Sequence, residues 1–172
     1  ILKSTEACKN DNFMVIDAMA GIGSFVIPLM KQCREGINFT IIANDWNQNA
    51  VQDLKTNLLL NQIDQKDLEI HCQDGFALIS QKLEKIDKSQ NIQNVYLIFG
   101  GTPGETEHIL KDNLVSYVKT CFEKQIILHV FVTGRNSRKM GRLMNELSRE
   151  NGYRKLAVKG MNFCSYYMKF EI

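Results

Sequence analysis

Two acids and a glycine turn are the residues whose types and spacing point most clearly to chemistry. Asp17 ends a short apolar run and is followed by a turn of small residues, which lets the backbone bend tightly and a ligand approach it closely. Asp45 ends a second apolar run, 22 positions after Gly23 (45 minus 23). Because the carboxyl ends of parallel strands lie at one edge of a sheet, these acids predict a ligand site at that edge. The small residues of the turn include Ala20, Gly21 and Gly23.

The turn lacks two phosphate-binding motifs, and their absence limits the kinds of ligand that it is expected to bind. A dinucleotide fingerprint needs a third glycine where Val26 stands, and there is no Gly-Lys-Ser/Thr phosphate loop. A turn that starts with an acid and lacks these features suits a cationic nucleoside without phosphates. S-adenosylmethionine fits, with its amino-acid head and sulfonium over the turn and its ribose hydroxyls on Asp45. The alternative is a buried βαβ unit with ordinary turn glycines.

Further candidates for cofactor contact follow neighbouring strands. Trp46 comes directly after Asp45, and Gly100 ends the predicted fourth strand, whose end faces the reactive part of the cofactor. Asp74 and Gly75 follow the predicted third strand. Asp74 either meets the adenine amino group or caps the next helix, and both interpretations stay open. A branched side chain at either turn glycine is expected to abolish binding and to leave the fold largely intact.

Apolar runs and helical patterns alternate along the chain and predict the elements that position these residues. The polar stretch Gln81–Gln93 predicts a surface loop. Asn47 predicts a helix cap, with Val51, Leu54, Leu58 and Leu59 on the buried side of its helix. The expected fold is α/β and Rossmann-like, of the class I methyltransferase type, with a mostly parallel seven-stranded sheet and a terminal antiparallel hairpin. The predicted strands are Phe13–Ile16, Phe39–Ala43, Leu68–Cys72, Val95–Phe99, Ile126–Val132, Tyr153–Val158 and Ser165–Ile172, with a helix at Ser137–Glu150 before the last two.

Length and composition set the broad class. A chain of 172 residues with 44% hydrophobic residues predicts one globular domain, 1–172, and a formal charge of +2 does not by itself imply nucleic acid. Its five cysteines form no C-x-x-C pair, so neither a metal nor a disulfide framework is expected. No apolar run has the length of a membrane span. We expect a monomeric fragment of a longer chain that is cytoplasmic, with the mitochondrial matrix or nucleus as other compartments.

Several stretches, in order, resemble the tRNA (guanine-37-N1)-methyltransferases of the eukaryotic and archaeal type. Asp17–Pro28 is similar to that family's D-x-M/F-A-G-V/I-G-P-F-A-I-P, and Ala43–Asn47 is similar to its A-N-D-L-N. Asn61–Ile63, Asp74–Gly75 and His129–Phe131 match its N-K-V, D-G and H-x-Y/F. The resemblance implies S-adenosylmethionine as the methyl donor and N1 of the guanosine 3′ of the tRNA anticodon as the acceptor.

The same resemblance supplies the candidates for catalysis. The family's N-L-P-A after the fourth strand faces the target base, and here that place reads Gly101–Gly104, with the proline kept. Thr102 and Pro103 are therefore expected beside the base. Glu105 is the nearest carboxylate to act as a general base, although a carboxylate at a helix start has an ordinary structural explanation.

Two alternatives stay open. The wybutosine-pathway aminocarboxypropyltransferases carry E-W-N-P and G-L-x-P-S-S-E at the corresponding places, which Trp46–Asn47 and Gly101–Glu105 resemble. Those enzymes use the same cofactor but transfer its aminocarboxypropyl arm to the wybutosine precursor in tRNA. The chain also fits a cofactor-binding partner subunit that no longer catalyses, since the base-facing motif is altered.

Basic residues and histidines complete the candidates. The basic residues form a cluster after the fifth strand that predicts contacts with tRNA phosphates, and a solvated helix surface is the alternative. His71 and His129 lie within predicted strands and are interpreted as core residues rather than catalysts. The basic cluster consists of Arg135, Arg138, Lys139 and Arg142.

Overall fold

One sheet of seven strands runs through the computed structural model, which describes residues 12–32, 39–100, 107–134, 142, 154–159 and 164–170. The strands are β1 Asn12–Asp17, β2 Phe39–Asn44, β3 Leu68–His71, β4 Ile92–Gly100, β5 Ile127–Gly134, β6 Arg154–Lys159 and β7 Cys164–Phe170. Their order across the sheet is β3-β2-β1-β4-β5-β7-β6. The first five strands pair in parallel, and β7 pairs antiparallel with both β5 and β6. This confirms the predicted Rossmann-like sheet and its terminal hairpin.

Helices cover both faces of the sheet, which is why the central strands read as continuous apolar runs. The described helices are α1 Val26–Gln32, α2 Gln48–Leu60, α3 Gly75–Lys85 and α4 Glu107–Glu123, with a short 3₁₀ turn at Lys88–Gln90. The helices α3 and α4 pack on one face, where Ile16, Leu97 and Val130 are buried against them. The helices α1 and α2 pack on the other face against Val15 and Ile41. None of the described helices is long and apolar enough to cross a bilayer.

The start of α2 forms as predicted, and its buried face is narrower than expected. The Oδ1 atom of Asn47 accepts a hydrogen bond of 2.9 Å from the Asn49 amide, which satisfies one of the unpaired donors at the helix start. Val51, Leu54 and Leu58 are buried, whereas Leu59 is 71% exposed. Leu59 lies about 100° around the helix from Leu58 and falls outside the buried stripe.

The loop predicted at Gln81–Gln93 is confirmed only for residues 86–91, which connect α3 to β4, and is wrong at both ends. Helix α3 continues to Lys85, and Leu83 and Ile86 are buried in the core. The Lys124 ammonium also donates to the backbone oxygens of Glu84 and Ile86, which fixes the end of this helix. Gln81, Glu84 and Lys85, which suggested a loop, lie on the exposed side of this amphipathic helix, because only one face of a surface helix needs to be apolar.

The two strand histidines have different surroundings. His129 is buried, with Nδ1 2.7 Å from the Tyr167 hydroxyl and Nε2 3.0 Å from Asn94 Oδ1, and its ring stacks on Tyr96. Its interpretation as a core residue is confirmed. His71 is half-buried on the edge strand β3 and pairs with Glu69 at 3.0 Å, so the core interpretation is wrong there.

Candidate functional site

The parallel register brings the predicted acids to one edge of the sheet. Asp17 at the end of β1 lies beside Ala43 of β2 on one side and Ile98 of β4 on the other. Asp45 follows β2 directly, and its charge is close enough to influence the pKa of Asp17. The end of β3 reaches the same edge, since His71 pairs with Asn44. The candidate site is therefore assembled from the ends of four strands and the segments that follow them.

The carboxylate of Asp45 joins the glycine turn to the start of α2. Its Oδ2 atom accepts from the Gly21 amide and its Oδ1 atom accepts from the Asn47 amide, each at 2.9 Å. Asp45 is 9% exposed. Each carboxylate oxygen has lone-pair capacity for a second donor. The carboxylate can therefore hold the turn in place and still accept hydrogen bonds from a ligand.

Asp17 lies beneath the turn and is fully buried. One of its carboxylate oxygens accepts a long hydrogen bond of 3.4 Å from the Met19 amide. Its other oxygen, Oδ2, has no hydrogen-bond partner among the residues that the structure describes. Its pKa is raised to about 7, chiefly by burial; the Met19 hydrogen bond acts against this shift, and the nearby negative charge of Asp45 adds to it. A buried carboxyl without a partner is costly, and a cation bound above it would lower that cost.

The side-chain amide of Asn44 is buried, and the sequence indicated this residue only as part of the motif Ala43–Asn47. Its Nδ2 donates to the backbone oxygens of Ala18, at 3.1 Å, and Gln73, at 3.0 Å. Its Oδ1 accepts from the Gln73 amide at 3.2 Å. One side chain therefore ties together the segments after β1 and β3. A polar residue between an apolar strand and a strand-end acid was the available clue, because a buried amide requires partners.

Asn44→Ala is expected to lower the free energy of unfolding by about 2–3 kcal/mol, because three backbone groups lose their partner at once. Urea unfolding followed by circular dichroism measures this change. Asn61→Ala is the matched control, since the Asn61 side chain bonds are exposed and its loss should change stability by less than about 0.5 kcal/mol. Equal effects in the two variants would contradict the role given to Asn44.

The two glycines of the turn differ in what surrounds them. Gly21 has a φ of +53° and open space where a Cβ would lie. Gly23 has a φ of +97°, and a Cβ there would lie 2.6 Å from Leu54 Cδ1 and 3.0 Å from Ile27 Cδ1. Room for a ligand is thus found at Gly21, whereas Gly23 allows the turn to pack on α2. The Asn57 side chain holds the turn from the same helix by donating to the Ile22 oxygen at 3.0 Å.

The segment after β3 contains a helix cap. Asp74 Oδ1 accepts a 2.7 Å hydrogen bond from the Ala77 amide, so the cap interpretation is confirmed. Contact between Asp74 and an adenine stays a prediction. A Cβ on Gly75 would lie 2.7 Å from the Ala18 oxygen, so this glycine allows the start of α3 to approach the segment after β1.

Apolar and aromatic side chains border the site. Trp46, next to Asp45, is 81% exposed, and its backbone oxygen lies 3.8 Å from Cys72 Sγ. Phe25 is 42% exposed at the other end of the turn. Its ring lies against Gly100, where a Cβ would be 3.3 Å from Phe25 Cε2. The site thus has exposed aromatic rings on both sides of the glycine turn.

Several predicted residues lie outside the described part of the chain. Arg142 is helical and exposed. The expected helix Ser137–Glu150 is described only at that residue, so the clustering of the basic residues stays a prediction. The predicted site residues that lie outside the described part of the chain are Thr102, Pro103, Glu105, Arg135, Arg138 and Lys139.

Comparison of the sequence with known proteins found one short similarity. No family model matches the chain. The chain is 35% identical over 74 residues to a Caenorhabditis elegans tRNA (guanine(37)-N(1))-methyltransferase. That match covers 43% of this chain and only 15% of the length of the worm protein.

Comparison of the structure found methyltransferases of low sequence identity. An rRNA methylase from Streptococcus thermophilus has a TM-score of 0.60 at 13% identity, covering 94% of this chain and 89% of its own. The ribosomal protein L11 methylase of Lactobacillus delbrueckii subsp. bulgaricus has a TM-score of 0.60 at 14% identity, covering 92% and 70%. A candidate methyltransferase from Streptococcus mutans, solved in complex with SAH, has a TM-score of 0.54 at 14% identity, covering 92% and 89%. The chain has the Rossmann-like fold of these proteins.

Proposed function

We propose that this chain binds S-adenosylmethionine and methylates tRNA, and that the methyl acceptor is N1 of the guanosine 3′ of the anticodon. The observation that carries the cofactor is the arrangement at the end of β1. Open space at Gly21 lies next to the Asp45 carboxylate, which is itself close enough to affect the pKa of the buried, partly unpartnered Asp17 carboxyl. This combination suits a ligand that has both a cationic group and a diol.

The residues present fit each part of that cofactor. Asp45 would accept the ribose hydroxyls with its remaining lone pairs, and the negative field of Asp17 would favour the cationic amino-acid end. Trp46 and Asp74 would border the adenine, beside the ends of β2 and β3. Gly100 would lie near the transferable group, because β4 and β1 meet at the point where the strand order reverses. S-adenosylmethionine supplies an electrophilic methyl group at such a site.

Support for tRNA as the substrate comes from the motifs of the first two strands and from the named activity of the worm protein. The basic residues after β5 would contact phosphates, which position an RNA without reading its sequence. Thr102 and Pro103 would lie beside the target base. Glu105 would take the N1 proton as the base attacks the methyl group, a role that commonly contributes about 10²–10⁴ in rate.

Aminocarboxypropyl transfer is the second candidate. It uses the same cofactor, and Trp46–Asn47 and Gly101–Glu105 resemble the enzymes that perform it. The two reactions leave different products on the RNA, which makes them separable by mass. A cofactor-binding subunit without its own activity is the third outcome.

Calorimetry and a transfer assay test the proposal together. We expect S-adenosylhomocysteine to bind the intact protein and Asp45→Ala to weaken that binding about 10- to 100-fold, since charge-assisted hydrogen bonds are lost. Asp53→Ala, which removes an exposed acid from α2, is the matched control. Thermal melting shows whether Asp45→Ala retains the fold, because Asp45 also holds two backbone amides.

Product analysis then decides the reaction. An unmodified tRNA transcript and, separately, a tRNA that carries the wybutosine precursor are incubated with cofactor, and their nucleosides are identified by mass spectrometry. We expect 1-methylguanosine with the natural transcript and none when the target guanosine is replaced by adenosine. An aminocarboxypropyl product would select the second candidate. Binding of cofactor without any transfer would identify a partner subunit, and absence of binding would overturn the proposal.

A further inference from the structure

Phe25 packs on Gly100 and remains partly exposed, and the contacts proposed for the cofactor do not involve it. It lies in the turn after β1, two residues beyond Gly23, and 42% of it is exposed. The edge of its ring, atoms Cε2 and Cδ2, lies 3.3 and 3.7 Å from where a Cβ of Gly100 would stand. A larger residue at the end of β4 would push the ring away. The missing side chain at Gly100 therefore lets the ring rest on the strand end.

The side of β1 on which Phe25 packs decides what it can contact. The strand β1 lies between β2 and β4. Asp45, the candidate ribose residue, belongs to the β2 side, and so do Trp46 and the segment after β3. Phe25 packs on the β4 side, where the reactive end of a ligand is expected and where an acceptor must enter. The partly exposed ring therefore lies beside the strand end at which an acceptor is expected.

The ring is held on a fixed frame. The Phe25 backbone oxygen accepts a 3.1 Å hydrogen bond from the Leu29 amide in α1. The turn before it is held by the Asn57 side chain, which donates to the Ile22 oxygen, and by Asp45, which accepts from the Gly21 amide. An aromatic side chain on such a frame loses little freedom when a flat ligand stacks on it.

We infer that Phe25 is the surface on which the target nucleobase stacks beside the end of β4, a role that rests on the proposed function. Base stacking on an aromatic ring accepts any base and commonly changes affinity about 5- to 100-fold. Phe25 is in this sense a positioning residue: it sets the plane of the base, and other groups recognise its edge and remove its proton.

The test uses an anticodon stem–loop RNA that carries 2-aminopurine at the position 3′ of the anticodon. The intact protein is saturated with S-adenosylhomocysteine, and the fluorescence of the probe is followed. We expect wild type, Phe25→Tyr and Phe25→Trp to quench the probe. Phe25→Leu, which keeps an apolar side chain but removes the aromatic face, should lose the quenching and bind the RNA about 5- to 100-fold more weakly. Its affinity for S-adenosylhomocysteine should be unchanged, and Leu59→Ala, on an exposed part of α2, should behave as wild type.

The outcomes separate this inference from the proposed function. If wild type methylates tRNA while Phe25→Leu quenches the probe and has the KM of wild type, the inference is wrong and the proposed function stands. If wild type shows quenching that depends on an aromatic ring at position 25 but transfers nothing, the stacking role stands and the proposed activity fails. A wild-type protein that does not quench the probe overturns the inference directly.

Discussion

Asp17→Asn is expected to make the protein more stable above pH 7 and to weaken cofactor binding about 10- to 100-fold. The two effects have one cause, the fully buried carboxyl whose Oδ2 has no partner in the described part of the chain. Its negative charge is unfavourable in the empty protein and favourable when a cation lies above the turn. At a separation of about 6 Å and an effective dielectric of about 20, that attraction amounts to about 3 kcal/mol.

The pH dependence follows from the direction of the pKa shift. Burial, aided by the charge of Asp45, raises the pKa of Asp17 from 3.8 to about 7, so the folded chain binds more protons than the unfolded chain between these values. The free energy of unfolding should therefore fall as the pH rises through this interval and level off above it, by as much as about 4 kcal/mol. Cofactor affinity should rise over the same interval, because the charged carboxylate attracts the cation.

Chemical denaturation and calorimetry at several pH values measure both effects. Asp17→Asn should remove this part of the pH dependence from stability and from affinity. Asp53→Asn is the matched control, since Asp53 is an exposed acid on α2 and should leave both profiles in place. A stability profile that is the same in wild type and Asp17→Asn would show that the carboxyl is not the group responsible.

Gly23→Val is expected to lower the free energy of unfolding by about 2–5 kcal/mol, a large part of the total stability of an ordinary protein. A side chain there combines an unfavourable positive φ, costing about 1–2 kcal/mol, with overpacking against the buried Leu54, costing about 1–3 kcal/mol. Thermal melting and the yield of folded protein measure the loss. The sequence predicts that the fold largely survives this substitution, whereas the surroundings of Gly23 predict a substantial loss of stability.

Gly21→Ala distinguishes the role of Gly21 from that of Gly23. Its Cβ would enter open space, so the expected loss of stability is about 1–2 kcal/mol from the positive φ alone. Binding of S-adenosylhomocysteine should nevertheless fall strongly, because the added methyl group occupies the space proposed for the ligand. A Gly21→Ala protein that binds as well as wild type would place the ligand elsewhere on the sheet edge.

The sheet and its acids could be predicted from the sequence because both depend on local patterns. Strands buried on both faces, such as Phe13–Ile16, form short apolar runs, and parallel strands place their ends at one edge. Asp17 and Asp45 were found in this way. The polar composition of Gln81–Gln93 predicted a loop where the last turn of α3 lies. The spacing of the buried Leu83 and Ile86 was the sequence feature that indicated a helix there.

Features that depend on distant contacts could not be predicted. The role of Asn44 requires that Ala18 and Gln73, which are 26 and 29 positions away, arrive at the same place. The difference between Gly21 and Gly23 depends on Leu54 lying below only one of them. The packing of Phe25 on Gly100 likewise requires the register of β1 against β4. In each case the deciding neighbour is distant in the sequence.

The exposure of Trp46 makes the chain its own optical probe. It is the single tryptophan of the sequence, and with 81% of its surface in water its indole emits much as it would in an unfolded chain. Heating or denaturant should therefore change the emission little. A planar adenine that settles beside Asp45 should quench it instead. Tryptophan fluorescence would therefore measure occupancy of the site without any label. It would not report unfolding, which it does report in most proteins.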